Sequence, residues 1–81
     1  MVEKLSKHQF EIVQYLKKGF WIQRTFDASD LSESIDLTNG EDDIMRVSSA
    51  TVGALMRKGI IDEREIRTPS VHIDITLYHL K

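Results

Sequence analysis

The chain has 81 residues, with 11 Lys and Arg against 13 Asp and Glu, three His and no Cys, for a formal net charge of −2. That length holds one domain, spanning 1–81, and excludes folds that need two lobes or a large barrel. A hydrophobic fraction of 41% with 30% charged residues argues against disorder, and a net negative charge argues at first sight against nucleic acid as a partner.

Leu5-Ser6-Lys7-His8-Gln9-Phe10 reads as a helix start, with Ser6 as N-cap and Gln9 closing a capping box; Leu5 and Phe10 stand where a hydrophobic staple would. Phe10, Ile12, Val13 and Leu16 continue an apolar stripe at helical spacing. Lys17 and Lys18 suit the dipole of the last turn, and Gly19 suits the stop, so a helix is expected over 6–18. Phe20-Trp21-Ile22-Gln23-Arg24-Thr25-Phe26 is aromatic and β-branched and is expected to be a strand.

Residues 27–43 fit two readings. Caps at Asp27 or Ser29 and apolar positions at Ala28, Leu31 and Ile35 fit a short helix over 28–35. Equally, Ile35-Asp36-Leu37 reads as a strand entering an Asn39-Gly40 turn, with Ile44-Met45-Arg46-Val47 returning. Periodicity does not decide between them.

Ser48 or Ser49 caps a second helix that runs to Lys58 and stops at Gly59. Val52, Leu55 and Met56 are expected to face the core, with Ser49, Ala50, Gly53 and Arg57 opposite. An extended run follows from Ile60 through Arg67, then a turn at Thr68-Pro69-Ser70. Val71-His72-Ile73-Asp74-Ile75-Thr76-Leu77 alternates strictly, as a strand with one buried face does. The expected fold class is α+β.

Ser49-Ala50-Thr51-Val52-Gly53-Ala54-Leu55-Met56-Arg57-Lys58-Gly59-Ile60-Ile61 resembles the recognition-helix region of winged helix-turn-helix domains. In those domains a Ser- or Thr-capped helix with Val and Leu inward ends at Lys-Gly-Leu-Ile or similar. Leu5 to Val13 looks like their first helix, and the hairpin around Thr68-Pro69-Ser70 would be the wing. The likeness covers two thirds of the chain and extends to small bacterial and phage-encoded members. It departs in the middle: a helix-turn-helix joins its helices by about three or four residues, whereas about a dozen would separate a 28–35 helix from Ser48.

The resemblance implies a small winged-helix domain that binds double-stranded DNA as a transcriptional regulator or accessory protein, with helix 48–58 in the major groove and hairpin 60–80 as wing. Contacts would come from Lys7, Arg46, Ser48, Ser49, Thr51, Arg57, Lys58, Arg64 and Arg67, with Arg57 as the base-contact candidate. Ala50 and Gly53 would let the backbone approach closely. Gly53 costs the helix about 1 kcal/mol relative to Ala, which points to a requirement, whether close approach or close helix packing. A homodimer is compatible with two half-sites.

Charge is uneven along the chain. Residues 27–43 hold seven acids and no base, leaving six acids against 11 bases elsewhere, or +5. This acidic lobe keeps open a rival reading, a protein-interaction module or DNA-mimic-like antagonist on the same scaffold.

Other side chains carry less. Basic residues at a helix end and Ser at an N-cap need no functional reason, and Arg64 and Arg67 also suit protection of a sheet edge. Trp21 is expected in the core rather than as a stacking platform, and Tyr15 and Tyr78 at its periphery. Glu41-Asp42-Asp43 lacks calcium-loop spacing and reads as a solvated loop. His8, His72 and His79 lack zinc-ligand spacing, and no Gly-rich phosphate loop or nucleophile elbow is present. No catalysis, cofactor or metal is expected. Without Cys, an apolar run of about 18 residues or a signal-peptide core, the expected location is the cytoplasm, with no membrane partner.

Overall fold

The computed structural model describes residues 5–81. Helix α1 spans Lys7–Lys17 and helix α2 spans Ser49–Arg57; strands β1 (Trp21–Asp27), β2 (Ser32–Thr38) and β3 (Asp43–Arg46) lie between them, and β4 (Ile61–Ser70) and β5 (Ile73–Leu80) follow. All strand pairs are antiparallel, in the order β3-β2-β1-β5-β4. The fold is α+β: two helices on one face of a five-stranded sheet, with no helix among the described residues long and apolar enough to cross a membrane.

The helix ends follow the local chemistry of the sequence. Ser6 Oγ accepts from the Gln9 N–H at 3.1 Å and the Ser6 N–H donates to Gln9 Oε1 at 3.2 Å, closing the expected capping box. Gly19 and Gly59 follow the helices at φ +99° and +71°, left-handed values that glycine takes without steric cost. Ile12, Val13 and Leu16 form the buried stripe of α1, while Phe10 at its edge is 55% exposed. On α2, Val52 and Leu55 are buried, but Met56 faces outward instead of toward the core.

Residues 27–43 are strands, not a helix, and the side chains that read as helix caps make turns. Asp27 Oδ1 accepts from the backbone and hydroxyl of Ser29, and Asp30 Oδ1 from the Ser32 N–H. Such Asx turns compete with helix initiation. Beyond them Ile35 and Leu37 alternate inward, opposite Arg24 and Ile22 of β1. At the next turn Asn39 Oδ1 accepts from the Glu41 and Asp42 N–H groups, and Thr38 Oγ1 donates to Asp42 O.

The final hairpin turns later than Thr68-Pro69-Ser70. β4 continues through Ser70, the pairing with β5 shifts between Arg67 and Ser70, and Val71-His72 make the turn. β4 is an edge strand, so the missing N–H of Pro69 is accommodated at an irregularity.

The alternating apolar set of β5 also points the other way from the core. Cross-strand partners share a face, and Ile22 pairs with Tyr78 while Gln23 pairs with Leu77. The core of Ile12, Val13, Leu16, Ile22, Ile35, Leu37, Val47, Val52, Leu55, Ile61 and Tyr78 therefore takes Tyr78 from β5. Leu77 is buried but outside that cluster, on the face away from the helices. Trp21 lies on that same face, half-buried, its ring stacked on His79 at 5.9 Å between centroids and resting over Gly40. The expectations of a core Trp21 and a peripheral Tyr78 are thus exchanged: one residue of register decides which face a strand residue meets.

Candidate nucleic-acid interface

α2 is fixed at both ends. The Val47 N–H donates to Ile35 O at 2.8 Å, tying the entry to β2. At the exit, Lys58 Nζ donates to Gln9 Oε1 at 2.9 Å, so the capping glutamine of α1 also anchors the end of α2. Between these anchors Val52 and Leu55 are buried, and Ser49, Ala50 and Arg57 are exposed with Gly53 among them.

Ser48 Oγ accepts from the Thr51 N–H at 3.1 Å and lies 2.9 Å from Thr51 Oγ1. These two hydroxyls cap the helix and each other. Ser49, without such a bond, is the hydroxyl on the exposed first turn. Among the described residues no other element packs on Gly53: the group nearest a Cβ there would be Arg57 Nη1, at 3.2 Å. Close helix packing is therefore not its role, and the Arg57 guanidinium lies back along the open face of α2.

The expected basic residues divide into three sets. Lys7, Arg57 and Lys58 belong to the helix layer, Lys7 in the first turn of α1 and the other two at the end of α2. Arg46 pairs across strands with Asp36 and so points to the opposite face of the sheet, away from α2. Arg64 and Arg67 sit on β4, each beside an acid of its own strand: Arg64 Nε donates to Asp62 at 2.7 Å, and Arg67 Nη2 lies 2.6 Å from Glu65. Arg64 also donates to Leu80 O. The structure thus separates Arg46, Arg64 and Arg67 from the α2 surface, and the hairpin arginines face local carboxylates.

The sequence pattern assigns Lys17 and Lys18 only to the helix dipole. They join Lys7, Arg57 and Lys58 on the same layer, where Glu11 is the one acid. The helices with their caps, 6–18 and 48–58, carry five basic residues against one acid, or +4. The remainder, 20–47 and 60–81, carries five basic residues against eleven acids, or −6. The acids of 27–43 do not form one lobe. Asp27, Asp30 and Glu33 lie at one end of β2 and Glu41, Asp42 and Asp43 beyond the other, about 20 Å of strand apart.

Hydrogen bonds from the Ser29 hydroxyl and backbone hold the Asp27 carboxyl below its ordinary range, with a smaller contribution from His72. Among the described residues no three His, Cys, Asp or Glu side chains converge as metal ligands. Compared with protein-family models, curated proteins and solved structures, the chain matches none.

Proposed function

We propose that the helix layer binds double-stranded DNA, on a winged-helix-like scaffold serving as a small, non-catalytic transcriptional regulator or accessory protein. The observation that carries this reading is the partition of charge by layer: +4 on the helices, −6 on the sheet and its connections. α2 offers a small-residue surface at Ser49, Ala50 and Gly53, with Arg57 along it. Its first turn directs unpaired N–H groups outward, where a phosphate is favoured. The β4–β5 hairpin follows α2 directly, as a wing would, and strands β2 and β3 stand where a helix-turn-helix has its second helix. With Arg64 and Arg67 engaged by neighbouring acids and Lys58 by Gln9, phosphate contacts fall first to Lys7, Lys17 and Lys18.

Titration of a random-sequence duplex at about 50 mM salt tests the reading. Three or four phosphate contacts make affinity fall about 40- to 150-fold on raising salt to about 200 mM. Arg57→Glu lowers affinity by more than about tenfold. Absence of binding at low salt removes the proposal.

A second reading, a protein-interaction module, is favoured by the acidic sheet. In that case the −6 layer engages a basic partner, and the duplex titration is flat.

A further inference from the structure

We propose that the distal hairpin tips dock into the outer groove of α1 on a second copy of this chain, so that chains associate head to tail. The two tips form one surface. The Ala28 N–H donates to His72 O at 2.7 Å, joining the β1–β2 turn to the β4–β5 turn. From this surface project Leu31, 77% exposed, and Val71, 93% exposed. A single exposed aliphatic residue is ordinary, but two on joined tips are not explained by folding. Leu31 also holds φ at +57°, a left-handed conformation that costs a non-glycine residue about 1 kcal/mol. Glycine or asparagine would close the same turn more cheaply, yet here a large apolar side chain stands in water.

Four carboxylates stand close in sequence to this apolar pair: Asp27, Asp30 and Glu33 about Leu31, and Asp74 beyond Val71, with which it lines one open hollow. The basic side chains at this end are Arg24, 3.9 Å from Glu33, Arg67, 2.6 Å from Glu65 and cross-strand from Ile75, and the imidazole of His72 in the turn itself. The tip is thus an apolar knob in an acidic collar.

The complementary surface lies on α1. Lys7, Phe10, Glu11, Gln14, Tyr15 and Lys18 line an open groove of about 340 Å³. Phe10 supplies an exposed apolar wall, and Tyr15 supplies a ring with Lys18 Nζ 5.3 Å from its centroid and the Phe20 ring packed edge-on at 5.3 Å. Two lysines against one glutamate give the rim a positive balance. An apolar knob with an acidic collar matches an apolar groove with a basic rim. The match is not met within one molecule. α1 leads into the near end of β1 and the tips lie at its far end, in a body whose longest dimension is 43 Å.

A single tip-in-groove contact leaves one groove and one tip free, so head-to-tail association continues past two copies, whereas a reciprocal pair of the same contacts would close as a two-fold dimer. It is also small, which places it among weak associations.

The test is sedimentation equilibrium of the full chain without nucleic acid, at loadings up to on the order of 1 mM. The average mass is expected to rise past the dimer with concentration, and less so at high salt. Leu31→Asp and Val71→Asp alter exposed residues outside the core cluster, so the fold persists while association weakens at least tenfold. Phe10→Asp in the groove has the same effect. An equimolar mixture of Leu31→Asp and Phe10→Asp pairs one intact groove with one intact tip, and therefore stops at a 1:1 dimer. A constant monomer mass, a closed symmetric dimer, or association indifferent to Leu31→Asp overturns the proposal. Because DNA is absent, none of these results bears on duplex binding.

Discussion

The helix layer and the sheet are built from one short chain but carry opposite charge and differ in how tightly they are fastened. α2 is held by Val47 at its start and by Lys58 on Gln9 at its end, above fully buried Val52 and Leu55. The sheet runs well past the helices, with every residue of β4 from Glu63 to Ser70 exposed. The difference teaches that net charge is a poor guide to partners here. A value of −2 is the sum of a basic layer and an acidic one, and a ligand meets one layer at a time.

The largest expected effect separates the two faces of the sheet. Leu55→Ala empties a fully buried site under α2 and costs about 2–5 kcal/mol. Leu77→Ala, buried on the open face outside the main core, costs less than about 2 kcal/mol because its neighbours can close over the gap. Urea denaturation of both variants measures the contrast, and equal losses would erase the distinction between a core face and an open face.

The next contrast concerns the duplex. Arg57→Glu lowers affinity by more than about tenfold, equivalent to about 1.4 kcal/mol. Arg67→Glu, already beside Glu65, changes it less than about threefold, consistent with the low worth of exposed ion pairs. Fluorescence anisotropy at fixed salt reads both, and a larger effect at Arg67 would move the interface to the hairpin.

Ser48→Ala removes the N-cap of α2 and is expected to cost about 1 kcal/mol in denaturant unfolding. The smallest effect is on the acid limb. Asp27 has a lowered folded-state pKa, so its contribution is complete above the ordinary carboxylate range and fades as pH falls through the lowered value. Asp27→Asn should therefore lower stability slightly at neutral pH and converge with the parent at low pH, flattening the acid limb of a thermal-stability profile.

What was legible in the sequence was local. Ser6 with Gln9, Gly19, Ser48 and Gly59 mark helix ends because a cap needs only neighbours within a turn. The strands at 27–43 were ambiguous because Asp27 and Asp30 serve equally as helix caps and turn formers, and only pairing with β1 decides. The face of β5 was illegible for a similar reason. Ile73, Ile75 and Leu77 alternate correctly, but alternation does not say which side the helices cover. Of the side chains proposed to face DNA, Lys7, Arg57 and Lys58 lie on the helix layer. Arg46 was lost to strand parity and Arg64 and Arg67 to adjacent acids, while Lys17 and Lys18 had been credited to the dipole alone.

The claim that the helices are the DNA-facing layer is tested most directly by following backbone amide resonances while a short duplex is added at low salt. The expected shifts are confined to Lys7, Lys17 and Lys18 on α1 and to Ser49, Gly53 and Arg57 on α2, and they collapse as salt is raised. Shifts centred on β4 and β5, or an unchanged spectrum at saturating duplex, would contradict it.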